Sequence, residues 1–468
     1  MKKMKKNDIY EITIEDMTEE GAGIGHIDGM AVFVKDTAVG DKAKIRIVKT
    51  KKTYCFGRLE ELITPSPYRE VPPCPVARQC GGCTLQHMTY EKELELKKDR
   101  VIGCIKRIGG VDNAEELFEG IHGLQERADG CYRYRNKMQF PIGIDKEGHI
   151  VTGFYAGRTH SIIPVDDCLI GHPVNSFITK AVISWAERYN VPAYDEKTCK
   201  GILRHVLTRI GFKTGELMVC MVINAKELPY SEELLSYLTK AVEDYGGNIK
   251  LTSVICNINR ENTNRILGDK EYTIYGKSYI EDLIGDVRFR ISAQSFYQVN
   301  PYMTEQLYDK ALKYASLSGT EKVWDLYCGI GTISLFLAKK AGKVYGVEIV
   351  PEAVKDAKEN ASLNGIENAE FFTGKAEELA KELEERADVV VVDPPRKGCD
   401  AELINTIIDI SPERLVYVSC DPATLARDIK LLKEGGFELM RFSVHDQFSR
   451  GMNVETVCLL KKYPMDTR

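Results

Sequence analysis

The chain has 468 residues, 43% hydrophobic and 28% charged, a balance that excludes a disordered or collagen-like protein. That length fits about three domains. Its 64 basic and 69 acidic side chains sum to -5, so the whole chain has no excess positive charge for nucleic acid.

The start, MKKMKKNDIY, places no apolar core behind its basic residues, and no signal peptide is expected. The purest apolar run, Val389–Val392, is far short of the ~20 residues that span a bilayer. Fourteen cysteines in such a chain predict reduced thiols in the cytosol, where clustered cysteines mean metal or catalysis rather than disulfides.

Residues 1–65 read as a small β domain. Ile12 and Ile14 alternate with polar residues, residues 31–34 follow the Asp28-Gly29 turn, and 44–48 alternate again. A small barrel of the OB type accommodates this pattern. Between Lys35 and Arg58 eight basic residues face only Asp36 and Asp41, a balance of 8 − 2 = +6. That stretch is either a solvated face or a surface for RNA phosphates.

Pro65, Pro67, Pro72 and Pro73 mark a boundary, beyond which 66–290 reads as a central, mostly β domain. A helix is expected over 89–108, with Leu94, Val101, Ile105 and Ile108 on one face and Gly109-Gly110 as its stop. Two further helices are expected over 175–189 and 231–245. Arg133, Arg135 and Lys137 alternate, which on a strand would align three cations on one face. That face is either a solvated edge or an anion site.

Residues 291–468 change character. Strands over 322–326, 344–348, 388–393 and 415–419 alternate with helical stretches, the pattern of a doubly wound, Rossmann-like α/β sheet.

Four constellations carry chemistry. In Asp325-Leu326-Tyr327-Cys328-Gly329-Ile330-Gly331-Thr332 the glycines let a ligand approach the first strand's end, and Glu348 ends the next strand, where a carboxylate can bind ribose hydroxyls. Ser334 replaces the third glycine of a dinucleotide loop, which favours S-adenosylmethionine, a ligand without a pyrophosphate; a dinucleotide remains the alternative. Asp393-Pro394-Pro395-Arg396 fixes a carboxylate at the same sheet edge. Cys420 sits at a strand end before a helix, either as a buried structural thiol or as a nucleophile activated by the helix N-terminus. Glu455, on the final strand, is either a candidate base or a paired surface glutamate.

The fourth constellation is Cys74-x5-Cys80-Gly81-Gly82-Cys83, with Cys168 as a distant fourth thiol. Four thiolates hold zinc or an iron–sulfur cluster. The absence of paired C-x2-C knuckles favours a closed four-cysteine cluster.

Taken together, DLYCGIGT, VVDPPRKG, SCDPATLARD, NVETV, SFYQVNP and CGGC resemble the RNA uridine-5-methyltransferase family over nearly the whole chain. The N-terminal part resembles a TRAM domain. The resemblance implies Cys420 as nucleophile and Glu455 as the base that removes the C5 proton. It implies Gln298, Tyr327, Glu348 and Asp393 as contacts to S-adenosylmethionine, beside Gly329, Gly331 and Thr332 of the loop. It also implies a [4Fe-4S] cluster on Cys74, Cys80, Cys83 and Cys168, and a helix over 89–108 packed on the catalytic domain.

The expected substrate is a uridine in 23S ribosomal RNA. A transfer-RNA loop is the alternative, and an iron–sulfur RNA-binding protein with a vestigial site is the reading from another class. No membrane and no obligate protein partner are implied. Three places depart from the family pattern: Asp421 stands where Asn is usual, Lys375 replaces an acidic residue, and Ser449-Arg450-Gly451-Met452-Asn453 rewrites Pro-x-Thr-x-His.

Overall fold

In the computed structural model, which describes residues 4–157, 159–382 and 386–463, the early alternation rolls into a barrel. The first three residues of the basic start lie outside the described residues. Strands run in the order Ile9–Thr13, Lys42–Thr50, Tyr54–Thr64, Met30–Val34, Gly23–Ile27 and Asp16–Met17. The first and last of these are consecutive in the chain, so the link through Ile14 and Glu15 closes the sheet on itself. Ile12, Ile14, Val32, Val34, Ile45 and Ile47 fill the interior. On the basic stretch, Arg46 and Arg58 both pair with Glu60, at 3.1 and 2.6 Å. Asp41 is buried against Arg69, so it does not neutralise the lysines of this stretch.

Thr89 caps the helix Tyr90–Arg107 by accepting the Lys92 N–H. Leu94, Val101 and Ile105 are buried as their spacing predicts, but Ile108 is 43% exposed because it lies at the C-cap, beyond the packed face. The helix lies against the helix Pro422–Glu434 of the C-terminal part, where Val101 and Ile105 join a core.

The central sheet runs Ile162–Pro164, Ile150–Tyr155, Lys137–Ile144, Leu203–Ile210, Glu216–Ile223, Lys250–Ile258, Lys270–Gly276. Helices Val174–Arg188 and Ser231–Tyr245 pack on it. The row of three cations expected before it does not form. Arg133 takes a φ of 53° and its guanidinium meets Asp167 at 2.5 Å, and the strand begins only at Lys137. Arg135 and Lys137 instead join Arg209 in lining a cleft.

The C-terminal sheet runs Ala369–Thr373, Lys343–Glu348, Lys322–Leu326, Val389–Val392, Arg414–Ser419, Glu455–Lys462, Phe437–His445, Phe118–His122. Its first five strands are parallel, and Glu455–Lys462 inserts antiparallel beside Arg414–Ser419. The edge strand Phe118–His122 comes from chain that precedes the central sheet. Val389 and Val391 face one core, Val390 and Val392 the other. Burial on both faces explains why that strand is an unbroken valine run without alternation. Among the described residues no helix is long and apolar enough to cross a membrane.

Candidate active site and cysteine cluster

At the carboxyl end of Lys322–Leu326 the backbone turns through positive φ at Tyr327 (71°), Gly329 (55°) and Gly331 (82°). Left-handed backbone is costly for a residue with a Cβ, and such positions concentrate at ligand sites. Gly331 precedes the helix Thr332–Ala338, and a Cβ there would sit 3.1 Å from Phe371. Thr332 and Tyr308 share a hydrogen bond between hydroxyls at 2.9 Å. Glu348 accepts the N–H groups of Gly329 at 3.2 Å and Val350 at 3.0 Å, so its carboxylate stands at the mouth of the loop.

Three strand ends meet beside this loop. Asp393 leaves Val389–Val392, and burial pushes its carboxyl up to about 7. Glu455 opens Glu455–Lys462 with one carboxyl oxygen buried and unpartnered. Burial and the charge of Asp393 push it well above the usual carboxylate range, while Arg396 opposes them. Cys420 follows Arg414–Ser419; burial pushes its thiol up to about 11, Glu455 and Asp393 add to this, and Arg396 opposes. Strand pairing sets these ends side by side, with Val392 opposite Tyr417 and Ser419 opposite Thr456.

The helix N-terminus that follows Cys420 is capped by its own first side chain. Asp421 caps Pro422–Glu434 by accepting the N–H groups of Ala423 at 3.0 Å and Thr424 at 2.9 Å. The helix's free donors thus face a carboxylate, whose charge offsets the positive helix end, and not the thiol.

Gln298 is buried, and its side-chain oxygen accepts from Gln447 at 3.1 Å. Gln447 also donates to Thr304 at 3.1 Å. The neighbours Ser295, Phe296, Tyr297 and Val299 line the cleft that holds Arg135, Lys137 and Arg209. Sequence reasoning passed over Gln447 and the buried carboxyl of Asp325, and read Arg396 only as the end of the Pro-Pro turn. Asp325 was legible as the first letter of the loop motif, whereas Gln447 carries no local signal. Lys375 lies at the surface, paired with Glu378 at 3.1 Å.

Cys74, Cys80, Cys83 and Cys168 line one cavity with apolar walls that include Val76, Phe154 and Ile170. Burial pushes the thiol of Cys83 up to about 12 and that of Cys168 up to about 11. Each is raised further by the neighbouring thiols. Gln86 steadies the loop by accepting the Cys74 N–H at 3.3 Å. Four convergent, partly buried thiols are the donor set of a soft metal centre. Among the described residues, no three of them lie within 4.8 Å of one another.

Comparison with known proteins matches residues 202–463 to the tRNA (Uracil-5-)-methyltransferase family and residues 3–59 to the TRAM domain. An uncharacterized RNA methyltransferase of Halalkalibacterium halodurans is 46% identical over 98% of both chains. One from Clostridium acetobutylicum is likewise 46% identical over 98% of both. The Pyrococcus abyssi tRNA (uracil-54, C5)-methyltransferase, solved with S-adenosyl-L-homocysteine, superposes with a TM-score of 0.77 at 26% identity. That match covers 96% of this chain and all of the other. A loop that shapes a nucleoside site, a thiol and two carboxyls at one sheet edge, and relatives aligned end to end agree: the chain belongs to the RNA uracil-5-methyltransferase family, enzymes dependent on S-adenosylmethionine.

Proposed function

We propose that this chain methylates carbon 5 of a uridine in 23S ribosomal RNA, with Cys420 as nucleophile and Glu455 as base. S-adenosylmethionine, when bound, supplies an electrophilic sulfonium methyl. Gln298, Tyr327, Gly329, Gly331, Thr332, Glu348 and Asp393 would hold it. The observation that carries the reading is the meeting of Cys420, Glu455 and Asp393 beside the cofactor loop.

Carbon 5 of uracil is a weak nucleophile. Addition of the Cys420 thiolate to carbon 6 forms a C–S bond and pushes the ring electrons into an enolate, so carbon 5 attacks the methyl and the S–CH3 bond breaks. Glu455 then takes the C5 proton, the ring electrons return, and the C6–S bond breaks to release Cys420. In the protein alone burial pushes the Cys420 thiol up to about 11 and the Glu455 carboxyl well above the usual carboxylate range. A cation beside these groups would favour their charged forms. The base must leave its stack to reach the sheet edge.

The barrel of 1–65 and the central part of 66–290 are read as RNA-binding, with 291–468 catalytic; the cleft with Arg135, Lys137 and Arg209 supports this. For Cys74, Cys80, Cys83 and Cys168 we favour a [4Fe-4S] cluster. Structural zinc is typically held on paired C-x2-C knuckles, which the spacing Cys74-x5-Cys80-x2-Cys83 lacks. A second reading keeps the chemistry and changes the substrate to the T-loop uridine of transfer RNA, favoured by the likeness to the Pyrococcus abyssi enzyme.

RNA containing 5-fluorouridine tests the chemistry, because fluorine cannot leave as a proton. The parent chain should become covalently trapped on it and Cys420→Ala should not. Trapping of Cys420→Ala, or no trapping of the parent, overturns the reading in favour of another nucleophile or a binding protein. Labelled methyl offered with unmodified 23S ribosomal and transfer RNA together separates the two substrates.

A further inference from the structure

Residues 446–452 run directly into Glu455, and they are the stretch where Ser449, Arg450 and Gly451 stand in place of a proline-bearing turn. In the fold this stretch is held by buried charge. Asp446 accepts from Lys97 Nζ and from the Tyr90 hydroxyl, each at 2.5 Å, and from Ser449 at 2.6 Å. Lys97 also donates to the carbonyl of Phe448 at 3.2 Å, and Tyr134 to that of Ser449 at 3.1 Å.

Arg450 makes the connection that matters most. It is 5% exposed and takes a φ of 70°, a backbone state that a non-glycine residue keeps only when its surroundings enforce it. Its N–H donates to Glu93 at 2.8 Å, its carbonyl accepts the Leu85 N–H at 3.1 Å, and its guanidinium donates to the Met88 carbonyl at 2.9 Å. The same guanidinium lies over the Tyr132 ring, 5.0 Å from its centre. Leu85 and Met88 belong to the loop that leaves Cys83, so one side chain joins the cysteine loop to the strand that begins at Glu455. A flat fork with several donors can serve a carbonyl, a carboxylate and an aromatic face at once, which an ammonium cannot.

We propose that Arg450 is a positioning residue that fastens the final strand to the loop following Cys83, so that the placement of Glu455 depends on that loop. The inference rests on the reading of Glu455 as the base. Its test follows release of the product. Without a well-placed base the methylated adduct between Cys420 and carbon 6 cannot lose its C5 proton, and it persists on ordinary uridine.

Full-length Arg450→Lys, Arg450→Gln, Cys83→Ser and the double variant Arg450→Lys/Cys83→Ser are incubated with S-adenosylmethionine and unmodified 23S transcript. Glu455→Gln is the control, and adducts are counted on denaturing gels. Both Arg450 variants should fold, lose about tenfold in kcat, equivalent to ~1.4 kcal/mol, and accumulate the adduct as Glu455→Gln does. The double variant should be no slower than Cys83→Ser alone, since the two changes break one connection. The strap is overturned if Arg450 variants turn over like the parent, lose adduct formation and release equally, or fail to fold in both forms. If Glu455→Gln itself leaves no adduct on a transcript that the parent methylates, the base assignment fails and takes the strap with it. An adduct in Glu455→Gln without one in the Arg450 variants removes the strap alone.

Discussion

Ser334 donates its hydroxyl to Asp325 at 2.5 Å, and both residues are fully buried beneath the cofactor loop. The serine that replaces a third glycine thus orients a carboxyl under the ligand. The other Asp325 oxygen has no partner, and burial pushes the group from 3.8 up to about 7, with Asp393 and Glu348 adding to it. A carboxyl raised on folding leaves stability intact below its unfolded value and lowers it as pH rises through the folded value. Asp325→Asn should therefore raise the thermal midpoint at about pH 8, on the order of 1–3 kcal/mol, with the gain vanishing toward about pH 4. The cationic methyl donor should bind the variant about tenfold more weakly, a change of ~1.4 kcal/mol readable by calorimetry.

Arg396 is the cation that opposes the upward shifts of both Cys420 and Glu455. Removing it leaves burial and the carboxylates unopposed. Arg396→Gln should move the rising limb of the kcat/KM–pH profile to higher pH by about one unit. An unmoved limb would mean that Arg396 does not act on the reacting groups.

Asp421→Asn keeps the cap of the helix Pro422–Glu434, because asparagine accepts the same N–H groups about as well as aspartate. It removes a negative charge next to Cys420. Thermal unfolding should hardly change, whereas the pH midpoint for alkylation of Cys420 by iodoacetamide should fall. A constant midpoint would relieve Asp421 of any role in the thiol's charge.

Lys97 lies fully buried between Glu93 at 2.7 Å and Asp446 at 2.5 Å. Lys97→Met strands two carboxylates in the interior and should cost about 3–5 kcal/mol in urea unfolding at neutral pH. A loss below about 1 kcal/mol would show the pair to be no more than a surface-like contact.

Anaerobically purified protein should be brown and carry about four irons per chain, with Cys83→Ser losing both colour and iron. A colourless protein with one zinc would reverse the assignment of Cys74, Cys80, Cys83 and Cys168.

The division between what could be read and what had to be seen follows the range of the forces involved. Gly329, Gly331 and Glu348 declared themselves because a strand end, a tight turn and the next strand are local in the chain. The run Val389–Val392 likewise read as a strand, and its burial on both faces came from the fold. The sequence alone thus determined the α/β architecture, the sheet edge and the residue types gathered there.

Tertiary structure decided the rest. Arg133, Arg135 and Lys137 alternate as a strand would, yet Asp167 draws Arg133 away, and only the fold supplies that partner. The charge state of Cys420 depends on burial and on Asp393 and Glu455 from two other strands, terms that no local pattern encodes. The bond from Arg450 to Met88 spans most of the chain. Hydrogen bonding along the backbone is written in neighbouring residues, whereas burial and ion pairing arise when distant segments exclude water together.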